Sequence, residues 1–179
     1  MFEELSLHVL DIAMNSLAAG ATRVEVAVIE NVRHDWLIIR VRDNGRGMDE
    51  QTLQQVLARN FSTKAIRKKS IGLGLALLRQ TSEMCGGTFH LRSQRDRGTS
   101  VTASMRLSHV DRPPLGDLEA TILALCTAGP EVDVRLVYRS DGQTFHFSSQ
   151  ESYCQERDSH EPRRTQETQG KGSATSRPA

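Results

Sequence analysis

Apolar residues recur along the chain with two distinct periods, and those periods divide it into helices and strands. Between residues 4 and 19, Leu7, Leu10, Met14 and Leu17 fall at three- and four-residue spacing, one stripe of an amphipathic helix, and Gly20 follows as a stop. From Thr22 to Ile29 the pattern switches to alternation. Val24, Val26 and Val28 lie on one side and Arg23 and Glu25 on the other, as in a half-buried strand. Asn31 to Asp35 reads as a turn and Trp36 to Arg42 as a second strand. Two glycines and an asparagine mark Asp43-Asn44-Gly45-Arg46-Gly47 as a loop, and Asp49 to Ala58 forms a short helix.

The second half continues the alternation of element types. Residues 60–71 are polar and basic, with Lys64, Arg67, Lys68 and Lys69 close together, and read as a mobile lid. Gly72 to Cys85 has Leu73, Ala76, Leu77 and Gln80 at helical spacing, and Gly86-Gly87 ends that helix. Strands are expected at Thr88–Arg92 and Thr99–Leu107, around a turn at Asp96-Arg97-Gly98, with Val101, Ala103 and Met105 alternating with polar residues. Ser108 to Gly116, with Pro113-Pro114, is a connector. It leads to a helix at Leu118–Cys126 and a hairpin, Val132–Val137 and Thr144–Phe147, turning at Asp141-Gly142. Residues 151–179 contain no Val, Ile, Leu, Met, Phe or Trp, and five acids balance five Lys/Arg. A stretch that buries so little cannot offset its ordering entropy, so a disordered tail is expected there.

This pattern predicts a main domain over residues 1–107, a helix-and-hairpin extension over 108–150 and the tail over 151–179. One-sided helices beside alternating strands predict an α+β fold, a mixed, mostly antiparallel sheet packed on one face by helices.

Bulk composition removes several classes of function. The net charge is +1 over 179 residues, so no global field draws the chain to nucleic acid or acidic membranes. Basic residues cluster mainly in the lid and there is one Trp, which argues against a nucleic-acid partner. Cys85, Cys126 and Cys154 are far apart with no Cys-x-x-Cys, which disfavours a zinc or redox motif. The N-terminus lacks a basic, apolar leader, and no apolar run approaches a membrane span of about 20 residues. The expectation is a soluble, cytoplasmic protein with no membrane contact.

Four features carry candidate chemistry. Asp11 and Asn15 are four apart on the first helix and project from one face, with His8 extending the row. An amide oxygen and a carboxylate so placed suit a magnesium ion and an activated water, although a solvated Asp and a helix-ending Asn have the same spacing. Asp43 at a strand end can accept a hydrogen bond from the exocyclic amine of adenine, with Gly45 and Gly47 letting backbone approach the ligand. Gly72-Leu73-Gly74-Leu75 opens a helix, where N–H groups and the dipole favour phosphate. Gly98-Thr99 opens the last strand of the main domain, where a hydroxyl can line a pocket.

Taken in order, these features resemble the GHKL superfamily of gyrase-type topoisomerases, heat-shock chaperones, histidine kinases and mismatch-repair ATPases, whose ATP-binding domain is the Bergerat fold. The resemblance covers about residues 5–107. The N box is similar to His8 through Ser16, the G1 box to Asp43 through Met48, the lid to Asn60 through Lys64, and the G2 box to Gly72 through Leu75. It implies ATP and Mg2+ as cofactors, with Asn15 as metal ligand and Asp43 as the adenine-reading carboxylate. Gly45, Gly47, Met48, Phe61, Lys64, Gly72, Leu73, Gly74, Leu75 and Thr99 then line the nucleotide, and Asp11 is the candidate catalytic base. Hydrolysing members carry Glu at the Asp11 position. No room precedes the N box for the phosphoacceptor helices of a full histidine kinase. The resemblance therefore implies a stand-alone ATP-binding domain acting as a protein kinase in trans, like the anti-sigma serine kinases, or as an ATPase. A non-catalytic ATP sensor in a larger assembly is the alternative. A protein partner is expected in each case, and a homodimer stays open.

Overall fold

The computed structural model describes residues 4–58 and 73–151. The expected lid at 60–71 and the expected tail beyond residue 151, with the candidates Phe61, Lys64 and Gly72, lie outside the described residues. Ten elements are present in it: α1 (Leu5–Ala18), β1 (Arg23–Asn31), β2 (Trp36–Asp43), α2 (Glu50–Ala58), α3 (Leu73–Met84), β3 (Thr88–Gln94), β4 (Gly98–Arg106), α4 (Leu118–Ala128), β5 (Asp133–Ser140) and β6 (Gln143–Ser148).

Strand alternation becomes a one-sided sheet. Val24, Val26 and Val28 of β1 are buried, as are Leu37, Ile39 and Val41 of β2 and Val101, Ala103 and Met105 of β4. Registers Val26↔Val41 and Val41↔Val101 put these residues on the same face, where α1, α3 and α4 cover them. Each buried Val, Leu, Ile or Met among them contributes roughly 1.5–3 kcal/mol of transfer free energy. The six strands run in the order β3-β4-β2-β1-β5-β6. Every pairing is antiparallel except β1 with β5, which is parallel, so the sheet is open and mixed with helices on one face. Through that parallel pair, the helix and hairpin after residue 108 continue the sheet of the first four strands.

The buried side of α1 differs from the expected stripe. Leu5, His8, Val9, Ile12, Ala13 and Ser16 are buried, while Leu7 and Met14 are exposed. Leu10 and Leu17 lie at the margin, half-buried against the core. The helix is apolar around most of its circumference, so spacing alone could not choose the side. No side chain caps the start of α1; instead the Leu5 and Ser6 N–H groups donate to the Pro114 and Leu115 carbonyls at 3.0 and 2.8 Å.

Candidate functional site

The loop after β2 is fastened on three sides before any ligand is considered. Asn44 accepts from the Thr22 and Arg23 N–H groups and donates to the Thr22 hydroxyl, tying the loop to the start of β1. Arg46 N–H donates to the Ala19 carbonyl just past α1, and Asp96 N–H donates back to the Arg46 carbonyl. Met48 N–H donates to the Ser93 hydroxyl at 2.8 Å. The glycines follow from this fastening. Gly47 (φ +59°) and Gly98 (φ +84°) have left-handed backbones, and a Cβ would overlap the Gln94 carbonyl at one and the Asp43 carbonyl at the other. A Cβ on Gly45 would sit 3.0 Å from the Ala19 carbonyl oxygen. The space these three residues leave open is taken by the protein's own backbone and by Asp43, whereas Gly45 and Gly47 were expected to let backbone approach the ligand.

Asp43 lies at the centre of the cluster, 8% exposed. One carboxylate oxygen accepts from the Gly45 and Thr99 N–H groups at 2.9 and 3.2 Å, and the other accepts from the Ser16 hydroxyl at 2.8 Å. A carboxylate offers about four lone-pair sites, so Oδ2 keeps one for an external donor. Asp43 is thus fixed in orientation with a single acceptor direction unused, which suits a purine exocyclic amine. Ser16, the orienting hydroxyl, was not singled out from the sequence. Its signal was a hydroxyl next to Asn15 on the side of α1 that proves to be buried. Thr99 contributes by its backbone N–H, and its hydroxyl is paired with Ser93 at 2.9 Å.

Asp11 and Gly74 meet where α1 crosses the start of α3. The Gly74 N–H donates to Asp11 Oδ2 at 3.1 Å, and a Cβ on Gly74 would overlap that carboxylate. Gly74 therefore permits Asp11 to cap α3, and this N–H is not turned outward for phosphate as the glycine pattern had suggested. Leu73 opens α3 and Leu75 is half-buried against the core. His8, one turn before Asp11 in the same row, is fully buried. Burial pushes its pKa down to about 4, with the Gly74 backbone pulling the other way, so the ring is neutral near pH 7. Asn15 is half-exposed, and its side chain makes no hydrogen bond to the described residues. Its amide oxygen is the candidate magnesium ligand. Among the described residues no group of three or more His, Cys, Asp or Glu could hold a metal, so the other ligands would come from phosphate and water. A depression of about 520 Å3 near Arg33, Arg139 and Gly142 lies at the far end of β1 and contains none of these residues.

Comparison with known proteins bears on the family and the fold. The model of the histidine kinase-, DNA gyrase B- and HSP90-like ATPase family matches residues 1–109. Curated relatives include the sensor histidine kinase YvrG of Bacillus subtilis, 29% identical over 49% of this chain and 16% of its own length. Another is the signal transduction histidine-protein kinase AfsQ2 of Streptomyces coelicolor, 33% identical over 56% of this chain and 18% of its own. The chain thus spans less than a fifth of either relative. Among solved structures, the Aquifex aeolicus MutL ATPase domain complexed with ADP aligns with TM-score 0.54 and 20% identity, covering 83% of this chain and 65% of that one. That likeness concerns the fold. Matched over more than half its length, the chain belongs to the family of histidine kinase-, DNA gyrase B- and HSP90-like ATPases.

Proposed function

We propose that this domain binds ATP with Mg2+ and uses it either for phosphotransfer to a protein partner or for slow hydrolysis. The observation that carries the reading is Asp43, held by Ser16, Gly45 and Thr99 with one acceptor site unused. In this reading Asp43 accepts from the adenine amine, and Met48 and Leu75 supply apolar contacts at the base. Asn15 would hold the metal beside the phosphates, and Phe61, Lys64, Gly72 and Leu73 would complete the site. Magnesium, when bound, would neutralise charge developing on the transferred phosphoryl group. Asp11 takes or orients the proton of the attacking hydroxyl or water, a contribution of roughly 10²–10⁴-fold.

A second reading, a nucleotide sensor without turnover, draws support from Asp11 itself. Its carboxylate is engaged by the Gly74 N–H, which competes with any role as a base. The test is calorimetric titration with ATP and Mg2+ against GTP, followed by product analysis with γ-labelled ATP. Released phosphate indicates an ATPase, a labelled protein indicates a kinase, and binding with neither product indicates a sensor. Equal affinity for ATP and GTP would remove the Asp43 assignment.

A further inference from the structure

The described helices lie on the face of the sheet that carries Val26, Val41 and Val101; no described element crosses the other face. On that open face, the halves of the sheet differ in charge. On β1 and β5, Asp133 accepts from Arg23 Nε at 3.0 Å and from Arg135 Nε at 2.8 Å, so both arginines there are already engaged by a carboxylate. On β2, β4 and β3 the residues facing outward include no carboxylate.

There the pairing aligns Arg42 with Ser100 and Arg92 in one row, and Arg40 with Thr102 and His90 in the next. Arg40, Arg42 and Arg92 are exposed and make no ion pair or hydrogen bond to the described residues. The short hydroxyl side chains of β4 form the floor of a groove, and the longer side chains of β2 and β3 form its walls, about 9.5 Å apart at the backbone. Arg106 stacks over Trp36, 4.2 Å from the ring centroid, at one end.

We propose that this groove binds an extended acidic segment of a partner protein. Arg42 and Arg40 stand at alternate positions on the β2 wall, with Arg92 and His90 at the matching positions on the β3 wall, about 6.7 Å apart along each strand, which is the spacing of alternate side chains in an extended peptide. Carboxylates at alternate positions would therefore meet Arg42 and Arg40 on one side, or Arg92 and His90 on the other. Arginine forks favour bidentate carboxylate contacts, and the hydroxyl floor supplies further hydrogen bonds. A nucleic-acid single strand fits less well, because base stacking needs aromatic faces and Trp36 already has Arg106 on it. A second copy presenting the same face would bring like charges together, and residues 151–179 balance their own charge.

The experiment is fluorescence anisotropy on the full chain without nucleotide, using a labelled peptide as long as β4 that alternates Glu and Ser. Wild type binds it, the Gln-for-Glu peptide does not bind, and the double variant Arg42→Gln/Arg92→Gln loses roughly tenfold or more in affinity. Arg33→Gln, which removes a charge away from the groove, has little effect. Absence of binding by the wild type overturns the proposal, as does an equal loss in Arg33→Gln or tighter binding of an oligothymidylate.

Discussion

Asp43→Asn isolates the recognition step, because it keeps the shape of the side chain and changes what one atom offers. Oδ1 already accepts from two backbone N–H groups, Gly45 and Thr99, so the amide oxygen of Asn takes that position. The amide nitrogen must then replace Oδ2, where Ser16 donates at 2.8 Å, and the Ser16 hydroxyl rotates to accept. The unused acceptor direction becomes a donor that faces the adenine amine. A hydrogen bond to a charged group is worth roughly 1.5–3 kcal/mol, so ATP affinity should fall about 10- to 150-fold, and donor–donor opposition adds to that loss. The same donor suits a purine bearing an oxygen at that position. Inosine triphosphate should therefore lose much less than ATP and overtake it in the variant. Calorimetric titration of both nucleotides into wild type and Asp43→Asn measures this, with thermal unfolding as a check of the fold. Unchanged ATP affinity in a folded variant would refute the assignment, and equal losses for the two nucleotides would show that Asp43 shapes the loop without reading the base.

Four further outcomes follow from the same geometry. Ser16→Ala leaves Asp43 without its orienting hydroxyl and should weaken ATP binding by about 1 kcal/mol, roughly fivefold, with a modest drop in the thermal midpoint. Gly98→Ala forces a left-handed backbone and a clash with the Asp43 carbonyl, so urea titration should show a loss of more than about 2 kcal/mol. Asp11→Asn keeps an acceptor for the Gly74 N–H and should preserve nucleotide binding while any turnover falls roughly 10²-fold or more; unchanged turnover means Asp11 is not the base. His8 titrates at about 4 in the folded chain and near 6.5 when unfolded, so the unfolded state binds the extra proton between these values. Its contribution is complete above pH 6.5 and is lost as pH falls toward 4, by about 3 kcal/mol at most; denaturation curves across that window should flatten in His8→Gln.

Most elements were legible because each has a single period. Val24, Val26 and Val28 alternate without interruption, and the β1 boundaries depart from expectation by only a residue or two. Alternation in Val101, Ala103 and Met105 identified the buried side of β4 equally well. The side on which α1 is buried was not legible, because apolar residues surround it and the choice depends on the sheet beneath and on α4 beside it. The hairpin of β5 and β6 was visible from Asp141-Gly142, but nothing local in Val132–Val137 reveals a parallel pairing with β1, more than 100 residues earlier. At the site, motif spacing named Asp11, Asp43 and Gly74 but not the contacts that govern them. The bond between Asp11 and Gly74 joins residues 63 positions apart, and that from Ser16 to Asp43 joins residues 27 apart. Such contacts arise from how α1 crosses α3 and β2, which no local periodicity encodes.

The parallel β1–β5 pair also bears on how the molecule may be divided. The family resemblance ends at residue 109, yet a chain cut there would lose every partner on one side of β1, from Arg23 to Glu30. It would expose a nine-residue, Val-rich strand margin prone to intermolecular pairing. The same cut removes the Pro114 and Leu115 carbonyls that receive the opening N–H groups of α1, the helix that carries Asp11 and Asn15. The segment matched by the family is therefore smaller than the sheet it belongs to.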